Sequence, residues 1–221
     1  MTQIARIIQE IRQQLPANVR PIAVTKNVSV DRMREAYTAG IRDFAENRLQ
    51  EALAKQEQLQ DLPDLCWHFI GHVQANKAKK VLENFLWIHS IDSLKLAERL
   101  NNLALQLSCE PQVCLQVKVL SDPNKYGWSV GELLADLPQL NQYTALKIQG
   151  LMTILPLGLS EAESLAAFQA TKQLAEKIEA QNWPNLKMHE LSMGMSGDYL
   201  LAVRAGATMV RLGTIIFGQR S

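Results

Sequence analysis

The sequence predicts an α/β fold: a single (β/α)8 barrel of the TIM type over residues 1–221, with an extra helix at its N-terminus. Three observations carry that expectation. Eight short apolar runs alternate with helix-like stretches, polar and glycine residues stand where the runs end, and 221 residues is near the shortest chain that holds eight such units. A doubly wound open sheet is the alternative that the same alternation allows.

Ile4, Ile7, Ile8, Ile11 and Leu15 fall on one helical face, which predicts an amphipathic lead-in helix stopped near Pro16. The apolar runs follow at residues 22–25, 43–45, 67–70, 86–89, 113–119, 147–152, 187–191 and 208–212, each but the last leading into a helical pattern. Asp92 reads as an N-cap for the segment that starts at Ser93, and Ser160 with Glu163 reads as a capping box. Alternation is clearest at 113–119. Val113, Leu115, Val117 and Val119 share one face, which leaves Cys114, Gln116 and Lys118 on the other and predicts that Gln116 and Lys118 point into the barrel.

Composition narrows the function classes. A net charge of +1, with 47% apolar and 20% charged residues, gives no field for steering onto nucleic acid or an anionic membrane. No apolar stretch is long enough to span a bilayer and the N-terminus lacks a signal peptide's apolar core, so a cytoplasmic location is expected. Cys66, Cys109 and Cys114 are odd in number and lack Cys-x-x-Cys spacing, which points to small buried hydrophobes rather than a disulfide framework or zinc site.

Chemistry is expected at the strand ends, because in such a barrel they all open onto one face. Lys26 ends the first run, where a desolvated amine is a nucleophile that forms Schiff bases; the alternative is a solvated surface lysine. Lys118 is a second candidate amine, or one member of an ion pair in the barrel. The last two runs deliver Ser192-Met193-Gly194-Met195-Ser196-Gly197-Asp198 and Arg211-Leu212-Gly213-Thr214, and barrel phosphate sites use the loops at those two ends. Amides at Gly213 and Thr214, with hydroxyls of Ser192, Ser196 and Thr214, fit an anion. Ordinary glycine turns with Ser196 as an N-cap are the alternative. A strand-end lysine opposite a phosphate cradle is what a barrel needs to hold pyridoxal phosphate. Arg211, a donor-only group, would then hydrogen-bond the pyridine nitrogen and keep it unprotonated; its alternative role is a barrel-mouth salt bridge.

The chain resembles the pyridoxal phosphate homeostasis protein (YggS/PROSC) family, whose fold is that of the alanine racemase N-terminal domain. The resemblance spans essentially the whole chain. It rests on Ala23-Val24-Thr25-Lys26, Glu46-Asn47, residues 67–77 with Trp67-His68-Phe69-Ile70-Gly71-His72 at their head, Gly150-Leu151-Met152-Thr153, residues 191–196 with Asp198, and Arg211-Leu212-Gly213-Thr214 with Phe217-Gly218. It implies that Lys26 is the Schiff-base lysine, that Ser192, Gly213 and Thr214 hold the phosphate, that Arg211 faces the pyridine nitrogen, and that Asn47 and Met193 line the cofactor. Ala45 and Arg48 replace the family's usual Gly and Tyr, and Val117-Lys118 with Asp122-Pro123-Asn124-Lys125 departs from its usual fifth-strand pattern. Those departures put contacts on that strand in doubt and leave the cradle intact.

The resemblance implies a carrier or buffer of pyridoxal phosphate without robust turnover, with apo-enzymes that need this cofactor as partners. A racemase of the alanine type is the second function considered. Such racemases add a C-terminal β domain and a tyrosine from a second subunit, whereas this sequence stops after its eighth run, so a monomer and no catalytic residue are expected. Two-base chemistry needs a group opposite Lys26; Tyr126 and Tyr199 are conceivable, but neither sits at an expected strand end. A cofactor-free Schiff-base aldolase or phosphosugar enzyme is the third function. His68 and His72 share a strand face without a third ligand at metal-site spacing, so no metal is expected. Lys77, Lys79 and Lys80 read as a solvated helix face.

Overall fold

The computed structural model describes residues 1–219. Helix α1 (Gln3–Gln14) is capped by Thr2, whose Oγ1 accepts from the Ala5 amide at 3.2 Å, and it buries Ile4, Ile8 and Ile11. Strands and helices then alternate: β1 (Arg20–Val24), α2 (Val30–Thr38), β2 (Asp43–Glu46), α3 (Leu49–Gln58), β3 (Cys66–Phe69), α4 (Ala78–Asn84), β4 (Trp87–Ile91), α5 (Leu94–Leu107) and β5 (Gln112–Lys118). A short strand β6 (Trp128–Ser129) precedes α6 (Val130–Leu140). The chain continues through β7 (Lys147–Met152), α7 (Glu161–Glu179), β8 (Leu186–Met195), α8 (Tyr199–Arg204), β9 (Met209–Leu212) and α9 (Thr214–Phe217).

All strand pairs are parallel, in the order β4-β3-β2-β1-β9-β8-β7-β5, and β4 pairs with β5. That last pairing closes an eight-stranded barrel and rules out the open sheet. β6 attaches to β5 through Val117 and Trp128, outside the ring.

Closure sorts side chains by their position along each strand. Val113, Leu115 and Val117 pack with the helices in the outer core, while Ile22, Val24, Ala45, Trp87, Cys114, Met152 and Met209 form a second cluster that fills the lumen. The two faces expected of the fifth run are therefore the two faces of β5. Gln116 is buried and donates to the Tyr126 carbonyl at 2.9 Å; Lys118 is half-buried at the strand end. On β1, Ile22 and Val24 face the lumen and Lys26 follows at the same interval. The three cysteines are free, and Cys114 alone is fully buried.

Helix starts follow local chemistry. The capping box at Ser160 forms, with the Ser160 amide donating to Glu163 Oε2 at 2.8 Å, and an equivalent box joins Ser129 to Glu132. At α5 the cap is Ser93 rather than Asp92. Ser93 has extended backbone and accepts from the Leu96 amide, whereas Asp92 is drawn to His72 at 2.8 Å. Among the described residues, no helix is long and apolar enough to cross a membrane.

Gly150 lies where β7 and β8 approach most closely. A Cβ there would stand 1.7 Å from the Glu190 carbonyl oxygen, so the backbone itself would have to move. Gly150→Ala should lower unfolding stability by about 3 kcal/mol. Urea denaturation checks this, as a lower midpoint with an unchanged slope.

Candidate functional site

The strand end that carries Lys26 is clamped on both sides. Thr25 Oγ1 donates to Glu46 Oε1 at 2.6 Å, and Lys55 Nζ donates to the Thr25 carbonyl at 2.6 Å and to Glu46 Oε1 at 2.7 Å. Lys55 also meets Glu51 Oε1 at 2.6 Å, and the same oxygen accepts the Asn27 amide at 2.5 Å. The residues before and after Lys26 are thus tied to α3 and β2, with Asn27 in the left-handed region at φ 59°. Burial pushes the Glu46 carboxyl up, and the hydrogen bonds from Lys55 and Thr25 pull it back. Sequence reasoning missed Lys55. The Glu51/Lys55 spacing on one helix face was a readable signal; its link to Glu46 crosses from helix to strand and was not.

Across the mouth, β1 runs beside β9 with Ala23 opposite Leu212, which brings Val24 and Asn27 to a small cavity shared with Gly213 and Gly218. There the Ser196 hydroxyl accepts from the Gly213 amide at 3.1 Å and from the Ile215 amide at 3.2 Å. Thr214 between them is exposed. Ser196 is therefore the hydroxyl of the motif that meets the start of α9. It is not an N-cap, a position that Asp198 occupies ahead of α8.

Ser192 and Met193 both lie on β8. Ser192 is fully buried inside the barrel, its Oγ bound to His89 Nδ1 at 2.7 Å and to Arg211 Nη1 at 2.8 Å. Met193, next along the strand, is fully buried in the outer core. A register shift between Ser192 and Met195 at the β8–β9 pair, with Gly194 at φ 88°, separates the two serines of the motif by a bend.

Arg211 is 3% exposed and lies on β9 beneath the mouth. Nη1 also donates to the Ser192 carbonyl at 2.6 Å, and Nη2 donates to the Thr153 carbonyl at 2.8 Å. Burial lowers its pKa to about 10, which still leaves it charged at neutral pH. Asn47 follows β2 on the lumen side, and its buried Oδ1 has no hydrogen-bond partner among the described residues. Its backbone packs so tightly on Gly71 that a Cβ there would fall 2.1 Å from the Asn47 oxygen.

The histidines separate. His72 follows the end of β3 at the mouth, bonded to Asp92 just past β4 and stacked on Tyr126 with ring centroids 3.9 Å apart. His68 is inside, with Nε2 on Asp43 Oδ1 at 2.9 Å and Nδ1 on His89 Nε2 at 2.9 Å. Asp43, Cys66 and His68 bring their ligand atoms within 4.8 Å at the opposite end of the barrel, a group that the pairing of His68 with His72 in sequence overlooked. Burial there pushes the Cys66 thiol up to about 12.

The mouth thus holds an amine on a fixed strand end, an amide pair with a hydroxyl suited to an oxyanion, a buried charged donor, and an unsatisfied buried acceptor. Those groups match an anionic aromatic aldehyde whose ring carries an acceptor nitrogen.

Comparison with known proteins agrees. The model for the alanine racemase N-terminal domain matches residues 1–221. The pyridoxal phosphate homeostasis protein of a Synechocystis species is 54% identical over 97% of both chains, and that of Escherichia coli K12 is 33% identical over 100% of this chain and 98% of its own. Among solved structures, PipY of Synechococcus elongatus with PLP bound superposes with a TM-score of 0.93 at 52% identity, covering 98% of this chain and 100% of that one. An alanine racemase of Clostridium difficile shares the fold at a TM-score of 0.82 and 16% identity, with 98% of this chain matching 56% of the racemase. The chain belongs to the pyridoxal phosphate homeostasis protein family, built on the alanine racemase N-terminal barrel.

Proposed function

We propose that residues 1–221 form one pyridoxal 5'-phosphate-binding domain that acts as a monomer in the cytoplasm, carrying or buffering the cofactor without robust turnover. The observation that carries this reading is the fixed Lys26 strand end facing the Ser196, Gly213 and Ile215 cluster, in a chain 52% identical to a relative solved with PLP bound. When bound, the cofactor supplies an aldehyde and an electron-accepting ring. Lys26 is the amine that bonds the aldehyde carbon reversibly. Ser196, with the amides of Gly213, Thr214 and Ile215, takes the phosphate, and Asn47 offers Oδ1 to a polar ring substituent. Arg211 holds the pyridine nitrogen. A guanidinium donates and does not accept, so the ring nitrogen stays unprotonated and withdraws electrons weakly. A weak sink suits storage more than carbanion chemistry.

The racemase reading needs a second acid/base, and the contacts of the two tyrosines weigh against it. The Tyr199 hydroxyl is bonded to Gln14 of α1 at 2.7 Å, and the Tyr126 ring is stacked on His72. Apo-enzymes that use the cofactor are the recipients in this reading. Mixing loaded protein with an apo-enzyme and a free-cofactor trap separates a donor from a sink: recovery of enzyme activity despite the trap marks direct delivery.

Lys26→Ala should abolish the visible absorbance of lysine-bound cofactor while changing unfolding stability by no more than about 1 kcal/mol. Absorbance that persists in a folded variant would move the attachment to another amine, Lys118 first. Arg211→Ala should shift the band more than it speeds cofactor loss on dialysis, and an unmoved band removes the pyridine contact. Loaded protein incubated with single-enantiomer amino acids should leave their optical purity unchanged; sustained racemisation dependent on Lys26 would overturn the carrier assignment.

A further inference from the structure

A continuous file of hydrogen bonds runs through the lumen beneath Arg211. It starts at Asp43, whose side chain is 19% exposed at the N-terminal end of the barrel beside Arg20, and passes through His68, His89 and Ser192 to the guanidinium. Both histidines and Ser192 are fully buried, and the His89 to Ser192 bond crosses from β4 to β8. Trp87 flanks both imidazoles, stacked on His68 with centroids 5.9 Å apart and tilted against His89 at 5.8 Å. No structural role for a solvated surface explains five polar groups in a row inside an apolar lumen.

The two ends of the file fix its direction. A carboxylate only accepts and a guanidinium only donates, while each neutral group between has one donor and one acceptor to spend in the chain. With four bonds to satisfy, His68 must carry its proton on Nε2, His89 must carry its proton on Nε2, and the Ser192 hydroxyl must donate to His89. Every bond then points from Arg211 toward Asp43. One added proton would set two donors face to face somewhere along the file. Burial lowers the pKa of both imidazoles and keeps them neutral, in agreement with that count.

We propose that Asp43, His68, His89 and Ser192 form a one-way relay that holds Ser192 as an acceptor toward Arg211, so that the guanidinium is aimed and polarised from the far end of the barrel. His68 and His89 are positioning residues in this scheme: they act on the cofactor only through Arg211. The proposal rests on the reading that Arg211 faces the pyridine nitrogen. Cooperative polarisation along an aligned file strengthens each bond, so the donor strength offered to the ring depends on a carboxylate on the opposite face.

The test uses the whole chain. Nitrogen-15 NMR of the cofactor-free protein should show both buried imidazoles bare at Nδ1 and protonated at Nε2; a proton on Nδ1 of either ring would overturn the relay. In the loaded protein, His89→Phe should shift the absorbance band in the same direction as Arg211→Ala. His89→Gln retains one donor and one acceptor and should keep the wild-type band. A band unmoved in a folded His89→Phe protein, where Arg211→Ala does move it, would refute the relay and leave the pyridine contact standing. A band unmoved in Arg211→Ala removes the contact and the relay's effect on the cofactor together.

Discussion

Everything in this molecule follows from the pairing of β4 with β5, which turns a sheet into a ring. Once the ring closes, a strand residue has only two places to go, the helix-covered outside or a narrow lumen. The outside takes the long aliphatic core. The lumen takes a second apolar cluster and, threaded through it, a column of polar groups that satisfy one another. The same closure gathers strand ends distant in sequence, so that residues near position 26, near 47 and near 213 share one rim.

The rim is held at the Lys26 strand end by a buried ion pair. Lys55 is buried against Glu46 and reaches the main chain of Thr25, while Glu51 grips the amide of Asn27. Removing one member of such a buried pair leaves a charge uncompensated and typically costs about 3–5 kcal/mol. The network therefore constrains the backbone on both sides of Lys26. The strand end at Lys26 is thus positioned from α3 and β2, two elements distant from it in sequence.

Much of this was legible in the sequence, and the failures are local. The alternation of Val113 through Val119 gave the two faces of β5, and Lys147–Met152 emerged as a strand with the expected limits. Lys26, Arg211 and Gly213 stand at the rim or just below it because apolar runs lead directly to them. The two serines of the 192–196 motif were not separable in advance. A register shift and a left-handed glycine decide which one meets the start of α9, and neither is visible as a periodicity. Asp92 lost the cap of α5 to Ser93 because His72, twenty residues earlier, competes for its carboxylate. The lumen file was out of reach for a related reason: its members sit on four strands other than that of Arg211, and only closure lines them up.

Ser196 has one more consequence. By accepting from Gly213 and Ile215, it leaves neither amide orphaned in the resting chain, which spares the fold the roughly 1–3 kcal/mol that a buried unsatisfied donor costs. An incoming oxyanion would exchange acceptors at those amides instead of rescuing them. At these two amides the empty chain is already satisfied, so an anion that leaves them uncovers no orphaned donor there.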